Sequence, residues 1–192
     1  MSGESVVIRA DDIFAVFHRE NQRWIHHIDL PRDAGAPEVV MRSLEGAADD
    51  AWPPSPVIQQ LEVQLQEGAV SSVMGLGMSG PVHWSLSCRA APHPLPGLSE
   101  IKCLLFEVAC RLPGAFERVG TCYHVVPEIA ATQVKQNILY TSRIGAWSVS
   151  ANGATISNMN QTLRFDAFDE VDDPAPRTVQ WAYAINRVSD AK

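Results

Sequence analysis

The chain has little lysine, almost no helical periodicity and no long apolar run. Lysine occurs only as Lys102, Lys135 and Lys192, and the arginines are scattered singly. Against 22 acidic residues this leaves a net charge of -7. Nucleic-acid and anionic-membrane binding both need a basic stripe, and none is present. No apolar stretch approaches the roughly 20 residues of a membrane span. The segment Met1-Ser-Gly-Glu-Ser-Val-Val-Ile-Arg9 has neither a basic start nor an apolar core, so it does not read as a secretory signal. A soluble, cytoplasmic protein is expected, with no nucleic-acid and no membrane partner.

Cysteine is also sparse, and no C-x-x-C pair occurs. Cys88, Cys103, Cys110 and Cys122 lie inside strand-like patterns. They are expected as reduced core thiols, since free cysteine packs as a small hydrophobe. A Cys88–Cys110 or Cys103–Cys122 bridge would require an oxidising compartment. Asn160-Gln-Thr162 has the letters of a glycosylation acceptor, but without a secretory signal it carries no weight.

What the chain does have is one pattern written three times: Trp84-Ser-Leu-Ser-Cys-Arg89, Trp147-Ser-Val-Ser-Ala-Asn152 and Trp181-Ala-Tyr-Ala-Ile-Asn186. Side chains alternate faces along a strand. Trp84, Leu86 and Cys88 therefore share one face, and Ser85 and Ser87 the other. The same holds for Trp147 and Val149 against Ser148 and Ser150, and for Trp181, Tyr183 and Ile185 against Ala182 and Ala184. One face is bulky and apolar, the other small. The spacings of 63 and 34 residues are not those of a repeat protein. The three tryptophans are expected as core anchors.

Turn signals divide the rest into short strands. Ile13–Phe17 and Arg23–Leu30 flank the polar turn Arg19-Glu-Asn-Gln22. Residues 31–56 form a long, Pro-, Gly- and Asp-rich connection of the kind that is functional or mobile, with Glu38–Leu44 as an edge strand or helical turn. Strands are expected at Val57–Gln66, Ala69–Met78, Val82–Arg89, Glu100–Leu112, Arg118–Val126, Val134–Ser142, Ile144–Ala151, Ala154 onward, Gln161–Phe168 and Arg177–Val188. Ala90–Ser99, with Pro92, Pro94 and Pro96, is expected as loop. Asn152-Gly153 favours a primed two-residue hairpin turn. About ten antiparallel strands without crossover helices indicate a single all-β domain over 1–192, a sandwich or an irregular barrel. The strand number and small faces favour a closed or nearly closed arrangement.

No catalytic constellation stands out. Gly75-Leu-Gly-Met-Ser-Gly80 matches G-x-G-x-x-G in letters, but a strand and not a helix follows it, so it is expected as a strand end or bulge. Asp166, Asp169, Glu170, Asp172 and Asp173 lack calcium-loop spacing and read as a solvated loop, as does Asp49-Asp50. The six histidines form no metal motif, though His26, His83 and His124 would make a composite site if their strands converged. Cys122 and His124 share a strand face, yet an active thiol also needs an electropositive, partly open pocket. Glu62 and Glu107 fall on polar strand faces. Trp52-Pro-Pro-Ser-Pro56 and Pro92-His-Pro-Leu-Pro96 are read as stiff connections or as polyproline segments for a partner.

The expected function is a non-catalytic interaction module that self-associates through a sheet face. The alternatives are a small-molecule binder with an aromatic-lined barrel pocket, and an enzyme whose site is assembled from dispersed strand residues. No cofactor or metal is implied. The candidate ligand-binding residues are Trp24, His26, His83, Arg89 and His124, with Trp24 and Trp52 as the tryptophans placed near turns or loops.

Overall fold

The computed structural model describes residues 4–32, 34–47, 50, 52–93, 100–126, 129–167 and 175–188. These form fifteen strands and no helix: β1 (Ser5–Ala10), β2 (Ile13–Glu20), β3 (Arg23–Leu30), β4 (Glu38–Ser43), β5 (Gln60–Gln66), β6 (Ala69–Ser79), β7 (Val82–Pro92), β8 (Lys102–Leu112), β9 (Gly120–Val125), β10 (Ala130–Val134), β11 (Asn137–Ser142), β12 (Gly145–Asn152), β13 (Ala154–Met159), β14 (Thr162–Ala167) and β15 (Arg177–Val188). All ladders are antiparallel. Sheet A has seven strands in the order β1-β2-β3-β4-β9-β14-β13, and sheet B has eight in the order β10-β11-β12-β15-β8-β7-β6-β5.

The two sheets pack face to face as a sandwich. Neither closes on itself, so the barrel alternative does not hold. Closure requires the first and last strands of a sheet to pair, and here both ends of each sheet stay open.

The alternating pattern builds the core. Trp84, Trp147 and Trp181 all turn inward and are buried. Trp84 meets Trp181 edge to face at 6.4 Å, and Trp147 stacks on Tyr140 at 5.2 Å. Ser85, Ser87 and Ala182, on the opposite parity, lie half-buried on the face of sheet B turned away from sheet A. Burial of the aromatic faces holds the strand register, because a one-residue slip would turn every tryptophan outward.

Several local expectations are corrected. The strand count is fifteen, not about ten. The stretch 134–142 is not one strand. It is split by a turn after Val134 at which Lys135 takes a positive φ of 55°. Ser5–Ala10, not expected as a strand, pairs with β2 along its whole length. Strand β7 runs on through Ala90 to Pro92, because proline is tolerated at a strand end. Glu38–Ser43 is neither edge nor helical turn but sits inside sheet A between β3 and β9. Asn152-Gly153 is not a hairpin turn. It carries the chain from β12 in sheet B to β13 in sheet A, with only Gly153 at positive φ (73°). Primed-type turns are instead made by Asn21-Gln22 (φ 47° and 68°) and Asn160-Gln161 (φ 49° and 64°).

The long connection is anchored. The Ser55 hydroxyl is buried, donates to the Cys122 carbonyl at 3.0 Å and accepts from the Cys122 N–H at 3.1 Å. Further on, residues 57–59 tie the sheets together. The Trp24 N–H donates to the Ile58 carbonyl at 2.7 Å, and the Gln59 N–H donates to the Leu76 carbonyl at 2.8 Å. Gly75 and Gly77 exist for this crossing. A Cβ on Gly77 would lie 2.0 Å from the Val57 carbonyl oxygen, and one on Gly75 would lie 2.7 Å from Ile58 Cγ2. Two glycines of the G-x-G-x-x-G letters thus serve close approach within β6, and the third, Gly80, takes a positive φ of 55° in the turn after it, so no phosphate loop is formed.

Candidate functional site

The five candidate residues do not converge. Trp24 is 5% exposed and His26 is 6% exposed, both in the core. His83 and Arg89 lie on the outer face of sheet B, and His124 lies on the outer face of sheet A, on the parity opposite to buried Tyr123. A composite His26–His83–His124 site is thereby ruled out, since the three side chains occupy three different layers. Trp52 is half-buried and meets Phe116 edge to face at 6.3 Å, so it is no open platform.

His26 belongs to a buried polar chain between the sheets. Its ring stacks on Phe17 at 5.0 Å and on Phe106 at 5.4 Å. Its Nε2 shares a 2.7 Å hydrogen bond with the Tyr123 hydroxyl, which shares another of 2.7 Å with the Tyr183 hydroxyl. Nearby, Trp181 Nε1 donates to Thr121 Oγ1 at 3.2 Å. Burial, with smaller contributions from His27 and His18, lowers the His26 pKa to about 3. The imidazole is therefore neutral, and the chain of hydroxyls holds the sheets together out of reach of solvent.

The four cysteines are free and buried, and burial raises each thiol above its usual range. Cys122 Sγ accepts from Arg118 Nη2 at 2.7 Å, which lowers its pKa less than burial raises it. That is the setting of an inert thiol. Of the acidic cluster, Asp166 is paired with Arg118 at 2.9 Å and with Arg164 at 3.3 Å. Asp49, Asp169, Glu170, Asp172 and Asp173 lie outside the described residues, as do Pro94 and Pro96. Pro53 and Pro56 are buried and unavailable to a partner. No group of three or more His, Cys, Asp or Glu side chains able to hold a metal is assembled among the described residues.

Trp24 also borders a depression of about 720 Å³ between the β2–β3 turn and the start of β5, and two further surfaces remain. On sheet A, strand register places His27, Arg42 and His124 side by side across β3, β4 and β9. His18 lies 5.3 Å from the His27 ring, and His27 Nε2 is 3.5 Å from Asp29 Oδ1. Sequence reading missed this row because its members are 15 to 97 positions apart and only the ladder aligns them. On sheet B, the outer face carries two adjoining depressions of about 470 and 360 Å³. Leu76, Ser85 and Ala109 line both, with Glu107 in the first and His83 and Arg111 in the second. Arg89 is not in either depression and pairs with Glu107 at 3.3 Å.

Beside these depressions, Met74, Leu76 and Met78 of β6 form an exposed apolar ridge. Val63 and Leu65 of the adjoining β5 are exposed on the opposite side of the same hairpin. Of the nine large apolar side chains exposed among the described residues, these are five. No family model matches the chain, and no curated protein matches it either. No helix among the described residues is long and apolar enough to cross a membrane.

Proposed function

We propose that this protein is a non-catalytic, cytoplasmic interaction module that self-associates through the β5–β6 side of sheet B. The observation that carries the reading is the exposed ridge of Met74, Leu76 and Met78 on the outer face of β6, beside an edge strand whose Val63 and Leu65 are exposed on the other face. Singly exposed apolar residues are ordinary on a protein surface, whereas a contiguous group marks a surface that is covered in use. The sealed His26–Tyr123–Tyr183 chain favours a structural duty for the most perturbed histidine over a catalytic one.

Native mass spectrometry and light scattering over a range of concentrations test this. A defined oligomer is expected. A monomer at every concentration up to about 100 µM would overturn the reading. The adjoining depressions on sheet B favour a second reading, a small-molecule binder, because about 470 Å³ falls within the size range of ligand sites. Under that reading the native spectrum carries extra mass per chain that is lost on denaturation.

A further inference from the structure

Strand β5 reads nearly the same in both directions: Gln60-Leu-Glu-Val-Gln-Leu-Gln66. About a centre at Val63, Gln60 mirrors Gln66, Leu61 mirrors Leu65, and Glu62 mirrors Gln64. This strand is also an open edge of sheet B. We infer that two copies of this chain join by antiparallel β5–β5 pairing about a two-fold axis through Val63, which makes one continuous sheet from the two copies of sheet B. The inference rests on the self-association proposed above and names its surface.

An isologous contact requires a self-complementary patch. Two-fold pairing at Val63 supplies one. Each Leu61 faces Leu65 of the second copy, and the two Val63 side chains face each other. On the inner face this extends the buried Val73 row across the axis, since Val73 pairs with Val63 within each chain. It also covers side chains that the sandwich leaves uncovered, with Val63 at 40% and Leu65 at 66% exposure. On the other face, Glu62 meets Gln64 of the second copy, so carboxylate faces amide and never carboxylate. The Gln64 Oε1 accepts from the Ser72 hydroxyl at 2.8 Å, while its Nε2 donates at 3.8 Å to the Met74 sulfur. A primary amide has two N–H donors, so one can serve the facing carboxylate.

The edge also lacks the usual guards. Proteins protect open edges with charged side chains, lysine above all, with proline or with inward charge. β5 has no lysine, arginine, proline or inward charge, and Glu62 on its outer face is its only charge. The bulge beside it falls on β6, where Ser71 is the extra residue, and leaves β5 itself regular. The opposite edge, β10, is likewise uncharged, but its five residues would set Ala130 against Val134 and Ala131 against Gln133 about Thr132. The edge β1 carries Arg9, and β13 (Ala-Thr-Ile-Ser-Asn-Met) has no mirror symmetry.

The test is a symmetric cross-link. Residues facing across an antiparallel ladder have Cα atoms about 4.5–5.5 Å apart, within disulfide range. Val63→Cys is expected to give a disulfide-linked dimer under mild oxidation, while Val134→Cys on β10 stays unlinked. Gln64→Glu sets two Glu–Glu pairs across the axis and is expected to raise the dimer Kd by about 2- to 30-fold, with recovery at high salt. A wild-type chain that stays monomeric overturns self-association and this interface together. A wild-type oligomer in which Val63→Cys fails to cross-link and Gln64→Glu leaves the Kd unchanged overturns only the β5 interface. Circular dichroism of each variant confirms that it is folded before its association is scored.

Discussion

The Tyr123 hydroxyl of sheet A lies 2.7 Å from the Tyr183 hydroxyl of sheet B, with both rings fully buried. The pair is a polar bolt through a largely apolar interface, beside the Trp181–Thr121 hydrogen bond. Removing the Tyr123 hydroxyl takes a partner from both His26 and Tyr183, whereas removing the Tyr183 hydroxyl leaves Tyr123 still bonded to His26.

Tyr123→Phe and Tyr183→Phe are each expected to cost about 1–3 kcal/mol in urea unfolding. The double variant is expected to cost less than the two added together, by about 0.5–1.5 kcal/mol, because both single changes break the same bond. Strict additivity would show that the hydroxyls act independently.

A buried histidine and a half-buried glutamate give the stability a pH optimum. His26 titrates near 3 in the folded protein against 6.5 when unfolded. The unfolded chain therefore binds the proton first, and the stability His26 permits is complete above pH 6.5 and lost as pH falls towards 3. Glu45 behaves in the opposite sense. Burial raises its pKa to about 7 from 4.5, although the hydrogen bond from Ser43 pulls the other way. Here the folded state holds the proton longer, so stability declines as pH rises from 4.5 through 7. His26→Phe is expected to flatten the acid limb of a stability-versus-pH curve, and Glu45→Gln the limb approaching neutrality. An unchanged acid limb in His26→Phe would assign it to other groups.

The two strand glycines of β6 differ in what they face. Gly77→Ala drives a methyl into the Val57 backbone, while Gly75→Ala meets only the side chain of Ile58. The first is expected to cost about 3 kcal/mol or more in thermal or urea melts, and the second about 1–2 kcal/mol, because a side chain can turn aside where a carbonyl cannot. Equal costs would mean that residues 57–59 yield as easily as a rotamer.

Much of the fold was legible because half-buried strands write their faces into the sequence. Arg23–Leu30 and Arg177–Val188 form over the expected residues, and all three tryptophans take the expected face. Shorter features escaped. The turn between β10 and β11, at Lys135-Gln136, has neither glycine nor proline to announce it. Asn152-Gly153 has the letters of a hairpin, but whether a turn returns to its own sheet or crosses to the other depends on which distant strand waits beyond. The same dependence hid the His27-Arg42-His124 row, whose members meet only through ladders set by the whole of sheet A. The choice between sandwich and barrel was hidden likewise, since it turns on whether β10 and β5 find each other.

The place of β15 bears on how the molecule assembles. It is the last of the fifteen strands to leave the ribosome, yet it lies between β12 and β8. Without it, sheet B would divide into two separate ribbons, β10-β11-β12 and β8-β7-β6-β5, with a slot one strand wide between them. Leu104, Phe106, Val108 and Val149 line that slot, and β15 closes it by pairing on both sides. A fold completed from the middle also has a natural point of division. A chain cut in the β14–β15 connection and resupplied with the β15 segment has a shaped vacancy to receive it.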